Sequence, residues 1–217
     1  MRWYLRYRLS YADVAELLAE RGVAVDPSSV YAWVQEFAPL YEEAARAFPR
    51  QVGACWSVDE TYVKVVGAWA YVYRAIDGQG HVIDVYVSAR RAADDAATFF
   101  RRAIEATGVV PQAVTTDCAA TYPPALAAVL PEVPHETGKL IQQRIERDHQ
   151  HLKGRVRGMR GFKTLAGARV LCHAHAFLRN LRGSFYDLGS LGDKPLLCTA
   201  PLTMHAWNAL TTELLAR

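Results

Sequence analysis

Nowhere in the sequence do about 18 apolar residues run uninterrupted, the length a membrane-spanning helix requires, so no membrane segment or membrane partner is expected. The opening Met1-Arg2-Trp3-Tyr4-Leu5-Arg6 reaches charge at once and lacks the apolar stretch of a signal peptide. Cysteine is sparse and dispersed. Cys55, Cys118, Cys172 and Cys198 include no Cys-x-x-Cys pair, which argues against a disulfide framework and against a zinc knuckle. The run Cys172-His173-Ala174-His175 lies in a helical pattern that cannot turn all three side chains to one ion, so it reads as core packing or DNA-facing imidazoles. These absences predict a cytoplasmic protein with reduced thiols.

What is present points to two parts. The 217 residues suffice for one ordinary domain and a small accessory module, and 51% hydrophobic with 22% charged residues supports a folded core. A formal net charge of +3 conceals an uneven distribution. Ten basic residues (Arg144, Arg147, Lys153, Arg155, Arg157, Arg160, Lys163, Arg169, Arg179 and Arg182) stand against two acids, Glu146 and Asp148. That surplus of eight leaves a deficit of five elsewhere. Such a block suits a surface that neutralises phosphates, although a solvated helix face has the same composition.

The first fifty residues read as a unit of their own. Ser10 and Asp13 have capping-box spacing, and Tyr11, Val14, Leu17 and Leu18 recur at helical intervals until Gly22. A second helix opens with Asp26 as N-cap and Pro27 at its first position; Val30, Trp33, Val34 and Phe37 form its apolar face, and Pro39 is expected to end it. Two such helices make a helix-turn-helix over residues 1–38, which would direct Ser28, Ser29, Tyr31 and Gln35 to a DNA major groove. Because the second helix holds no Lys or Arg, a helical hairpin that merely packs on the next domain remains open. Residues 39–50 read as a helical connector.

From Cys55 the period becomes strand-like. Residues 55–66, 69–76 and 81–87 are rich in β-branched and aromatic residues, and Asp77-Gly78-Gln79-Gly80 joins the last two as a hairpin. A helix over about 92–107, a short strand ending at Asp117, and helices over about 119–130 and 141–157 come next. Three strands, a helix, a strand and further helices is the element order of the ribonuclease-H-like fold. It is an α/β architecture with a mixed sheet and flanking helices, expected here over residues 51–187.

Three carboxylates fall at telling places on that order: Asp59 midway along the first strand, Asp117 at the tip of the fourth, and Glu146 inside a later helix. Hard oxygen ligands on a rigid scaffold can hold two Mg²⁺ ions about 3.5 to 4 Å apart, the arrangement that activates a nucleophile and stabilises the leaving oxygen of a phosphodiester. Strand alternation sends Glu60 to the face opposite Asp59, so only one of that pair is expected at the site. Taken singly, Asp59 could be a strand-edge charge, Asp117 a helix N-cap and Glu146 a surface residue. Helical spacing aligns Glu146 with His149, Gln150, Lys153 and Arg157, which would continue a metal-binding end into a phosphate-binding one. Asp77 and Asp84 are better assigned to turn chemistry and strand exposure.

Several segments, in order, resemble the bacterial transposases of insertion-sequence family six: Trp56-Ser57-Val58-Asp59-Glu60-Thr61-Tyr62-Val63-Lys64-Val65, residues 71–77, Thr115-Thr116-Asp117, Ile145-Glu146-Arg147-Asp148-His149 and Met159-Arg160-Gly161-Phe162-Lys163. Residues 2–7, 20–22 and 30–34 are similar to the same family's helix-turn-helix, so the resemblance covers roughly 2–187. It implies a replicative DDE transposase, nucleoid-associated, that cuts at the terminal inverted repeats and joins 3′ hydroxyls to target DNA. Asp59, Asp117 and Glu146 would bind two Mg²⁺ ions, with Mn²⁺ able to substitute. Lys153 and Arg157 would contact DNA near the transferred end, with His149, Arg155, Arg160 and Lys163 beside them. A homodimer is implied and a small-molecule substrate is not. The family carries more residues ahead of the helix-turn-helix, which implies either weaker binding to terminal repeats or a misassigned start; the Asp117 to Glu146 spacing is shorter, and Gln142-Gln143 replaces an Asn pair. Residues 188–217 carry no functional signal. The competing readings are a metal-dependent nuclease or resolvase of the same fold, and a non-catalytic DNA-binding regulator derived from a transposon.

Overall fold

The computed structural model describes residues 1–137, 143–188 and 199–216. The expectations attached to Ile141, Gln142, Pro195 and Cys198 lie outside the described residues. The chain divides into two compact units, Met1–Arg50 with His173–Arg217, and Gln51–Cys172. This differs from a simple succession of N-terminal, connector, catalytic and tail segments.

In the first unit, α1 (Arg2–Arg6) precedes α2 (Tyr11–Ala19) and α3 (Pro27–Arg46). The capping box forms: Ser10 Oγ accepts the Asp13 N–H, and Asp13 returns a carboxylate to the Ser10 N–H. Asp26 likewise accepts the Ser28 N–H, with Pro27 at the first helical position. Val30, Val34 and Ala38 are buried along one stripe of α3. Pro39 does not end this helix, which continues to Arg46. Proline removes one backbone donor and crowds the preceding turn, a cost of about 3 kcal/mol that tertiary packing must outweigh. Here Ala44 and Ala45 are fully buried, and Tyr41 stacks on Trp207 of α8 (Thr199–Leu215) while its hydroxyl meets Thr211 at 2.6 Å. The C-terminal residues, silent in the sequence, thus supply the surface that carries α3 past its proline.

The second unit holds a five-stranded sheet in the order β3-β2-β1-β4-β5. Its strands are β1 (Cys55–Val65), β2 (Ala68–Asp77), β3 (Val82–Ser88), β4 (Ala113–Thr116) and β5 (His135–Thr137). The first three pair antiparallel and the last two join in parallel, the mixed sheet of the ribonuclease-H-like fold. On one face lie α4 (Ala93–Thr107) and α5 (Tyr122–Val129), burying Trp56, Val58, Tyr73, Phe99, Phe100 and Leu126 in one cluster. Against β1 packs α6 (Gln143–Val156), followed by a 3-10 turn at Arg157–Met159 and by α7 (Leu165–Arg182), whose Arg169 donates to the Val87 carbonyl. Strand β5 escaped the sequence reading, since three residues leave no period to detect. Asp77 takes the turn role expected of it, accepting N–H groups from Gln79, His81 and Gly53, and Asp84 pairs with Arg102.

Strand β1 is unevenly flanked along its length. Beyond Ser57 it has no β4 partner, because β4 ends at Thr116. It regains a neighbour at Lys64–Val66, where Phe162 donates to the Lys64 carbonyl and accepts the Val66 N–H.

Candidate metal centre

The carboxylates assemble where β1 outruns β4. Asp117, the first residue after β4, holds its carboxylate in a turn through the Ala119 N–H at 2.9 Å. Asp59 accepts the Glu60 N–H on Oδ1 at 2.8 Å, and its Oδ2 lies 3.3 Å from His149 Nδ1 on α6. One oxygen each from Asp59, Glu60 and Asp117 lies within 4.8 Å of the others. A gap at the carboxyl end of a strand is where open α/β sheets bind their ligands, because backbone and side-chain polar groups converge there without being used up by the sheet.

The geometry corrects the expectation that Glu60 would be kept away. Alternation does send its Cα–Cβ bond to the face of Trp56 and Val58. Beside the missing β4 residues, however, the longer glutamate stem brings its carboxylate to the shared edge. There it accepts the Tyr122 hydroxyl at 2.6 Å and pairs with Arg91, its side chain only 5% exposed. Burial first, and Glu60 second, push the Tyr122 phenol well above its ordinary value of 10.0. The same two causes raise Tyr73, across the ladder from Glu60, to about 12. Both phenols therefore stay protonated beside a concentrated negative field.

Glu146 is exposed on α6 and stands outside this cluster, one turn before His149. Residues three apart share a helix face, so the side chain that touches Asp59 and the acid belong to the same side of α6. His149 is 3% exposed, and its Nε2 has no hydrogen-bond partner among the described residues. Oxygen-only donors at this spacing fit a hard divalent cation such as Mg²⁺ or Mn²⁺ and would suit zinc or copper poorly.

The basic residues separate into two groups. Lys153, Arg157, Arg160 and Lys163 are exposed, whereas Arg155 is 7% exposed and His149 is turned to Asp59, so neither of these two presents a surface to phosphates. Arg157 begins the 3-10 turn and does not extend the stripe of α6. In the other unit, Ser28 and Tyr31 are exposed near the start of α3, Ser29 and Gln35 are half-buried, and Tyr31 meets Tyr11 edge to face. The Cys172 to His175 run behaves as packing: Cys172 and His175 are buried and His173 pairs with Glu42. Arg91 and Tyr122 were missed by sequence reasoning, since neither carries a motif; Glu60 had the signal of standing next to Asp59.

Over residues 53–184 the chain matches a family model described as a DDE domain. It is 42% identical over 159 residues, 70% of each chain, to the transposase for insertion sequence-like element IS431mec of Staphylococcus aureus. The same identity and coverage hold for the transposase for insertion sequence element IS257 in transposon Tn4003 of that organism. Among solved structures it is similar to the catalytic core domain of BIV integrase, with 18% identity, 74% of this chain and 99% of that chain covered, and a TM-score of 0.44. The HTLV-2 integrase catalytic core domain in complex with magnesium aligns at 17% identity over 76% of this chain and 86% of that one, with a TM-score of 0.41.

Proposed function

The chain belongs to the DDE-domain transposases of insertion-sequence family six, and from that membership we propose that it cleaves DNA at insertion-sequence ends and transfers the freed 3′ hydroxyls to target DNA. The observation that carries the reading is the convergence of Asp59 and Asp117, far apart in sequence, at the open edge of β1 beneath a helix bearing Glu146 and the exposed Lys153. Asp59, Asp117 and Glu146 would hold divalent metal, Mg²⁺ with Mn²⁺ as substitute, and two ions are what the displacement at a phosphodiester calls for. When bound, the metal acts as a Lewis acid on the phosphodiester.

The chain's own residues supply the rest. Asp59 and Asp117 are pre-oriented by backbone N–H groups, so little rotamer freedom is lost on loading. Glu146 completes the set from the face of α6 that His149 seats on Asp59. Glu60, charge-paired with Arg91 and hydrogen-bonded by Tyr122, shapes the field from behind. Lys153, Arg157, Arg160 and Lys163 neutralise phosphates of the bound strand, and Ser28, Ser29, Tyr31 and Gln35 face terminal-repeat DNA. The protein pairs two ends as a homodimer and acts on DNA in the bacterial cytoplasm.

A strand-transfer assay with Mg²⁺ and a 3′-hydroxyl donor tests this. The expected wild-type products are both cleaved and joined DNA, and Asp59→Asn and Asp117→Asn each abolish both while retaining DNA binding. Cleavage without joining would make the protein a nuclease, and neither product a regulator.

A further inference from the structure

Outward from the carboxylates, the β1–β2 hairpin carries a surface that metal chemistry does not use. On the face of Glu60 the next residues of β1 are Tyr62 and Lys64, whose cross-strand partners are Tyr71 and Trp69. Tyr62 and Trp69 are 55% and 51% exposed and meet edge to face, centroids 4.8 Å apart. Lys64 Nζ lies 5.1 Å from the Trp69 ring centre, and Lys153 reaches across from α6 to within 5.6 Å of the Tyr62 ring. The Phe162 segment hydrogen-bonds along β1 at Lys64 and Val66, so the exposed Arg160 and Lys163 flank a residue that runs beside the same strand. Among the described residues none of these four cations is ion-paired to an acid.

A cross-strand aromatic pair stabilises a hairpin by itself, but that role calls for neither half-exposed rings nor the cations of Lys64 and Lys153 set over them. An apolar protein partner would have to desolvate those cations without compensation. Paired duplex would use the cations and leave the rings idle. A strand with unpaired bases engages both, since every base offers a π-face and every linkage a phosphate. Residues two apart on a strand are about 7 Å apart on one face, so a phosphate at the carboxylates sets its neighbouring nucleotide beside Tyr62.

We propose that Tyr62 and Trp69 form a stacking platform for unpaired bases flanking the reacting phosphodiester, with Lys64, Lys153, Arg160 and Lys163 holding the phosphates of that strand. The inference rests on the reading of the site as a DNA-transferring centre, and deepens it by naming the substrate as a locally opened DNA end.

The test is fluorescence anisotropy in EDTA at fixed salt, comparing a blunt duplex with the same duplex bearing a three-nucleotide overhang, 3′ in one arm and 5′ in another, with 2-aminopurine in the overhang. Wild type is expected to bind one overhang more tightly than blunt DNA. Tyr62→Ala and Trp69→Ala should each lose about 5- to 150-fold on the overhang with little change on the blunt duplex, while Tyr62→Phe keeps wild-type affinity. The 2-aminopurine signal should be quenched by wild type and not by the alanine variants. Should an alanine variant unfold, Tyr62→Leu and Trp69→Leu, which keep bulk and strand propensity without aromatic stacking, decide the matter with the same expected loss. No overhang preference, equal losses on both DNAs, or variants that alter sedimentation without altering DNA binding would each overturn the proposal. A wild type that joins strands yet shows no overhang preference sinks only the platform. One that binds overhangs through these rings yet never joins strands sinks the transposase reading instead.

Discussion

At the residue scale, the two glutamates near the centre differ in what holds them. Glu60 is buried and committed to Tyr122 and Arg91, whereas Glu146 is exposed. Glu60→Ala would leave the Tyr122 hydroxyl buried without an acceptor, so unfolding in urea should show a loss of about 1–3 kcal/mol. Glu146→Gln should abolish cleavage and joining while leaving the urea midpoint in place; the reverse pattern would move Glu60 into the triad. His149 invites a parallel experiment, because Asp59 is its single polar contact among the described residues. Replacement by Leu should weaken Mn²⁺ binding in calorimetry by about 10-fold or more, the usual consequence of removing a group that orients a ligand. His149→Asn, whose amide donor stands near the Nδ1 position, should recover part of that loss. Wild-type affinity in the Leu variant would leave His149 with packing alone.

Elements record where local signals and tertiary packing part company. The capping residues Ser10, Asp13 and Asp26 announced their helices because their hydrogen bonds close within a few residues. Asp59 and Asp117 were likewise legible, since strand period and strand tip are local facts. The passage of α3 through Pro39, the joining of Glu60 to the cluster and the seating of Tyr122 were not, because each depends on groups remote in sequence. The turn Val66-Gly67 was hidden for a different reason. Both residues have positive φ, as a two-residue primed turn demands, and a β-branched residue is poorly suited to the first position. Val66→Asn should therefore raise stability by about 1 kcal/mol, read as a higher urea midpoint at unchanged slope. Within the other unit, burial alone would raise the Glu42 carboxyl, but His173 and Arg46 hold it below the ordinary 4.5. A carboxyl depressed on folding contributes stability that is complete above 4.5 and is lost as the pH falls through its lower folded value. Glu42→Gln should be less stable than wild type at neutral pH and flatter in acid. Identical acid profiles would assign the pair no net contribution.

For the molecule as a whole, the uneven charge sets how DNA binding responds to salt. Each phosphate neutralised adds close to one unit to the steepness with which log affinity falls against log salt. Lys153→Ala should accordingly reduce that slope by about one, whereas Arg155→Ala, truncating a buried side chain, should lower stability and leave the slope alone. A shared response would mean the two are equally available to the strand. No described helix is long and apolar enough to cross a membrane.

Strand β1 is pinned at both ends, by β4 up to Ser57 and by Phe162 from Lys64 onward. The stretch between spans roughly 23 Å at the usual strand rise. It behaves as a ruler with fixed stops, along which side-chain direction is a matter of odd and even. A single inserted or deleted residue there would exchange Asp59 and Glu60 between faces and turn Tyr62 inward, undoing several functions at one stroke. Lineages of this protein should therefore tolerate length changes in their surface loops and almost none in these few residues, a pattern that a library of single-codon insertions would read directly.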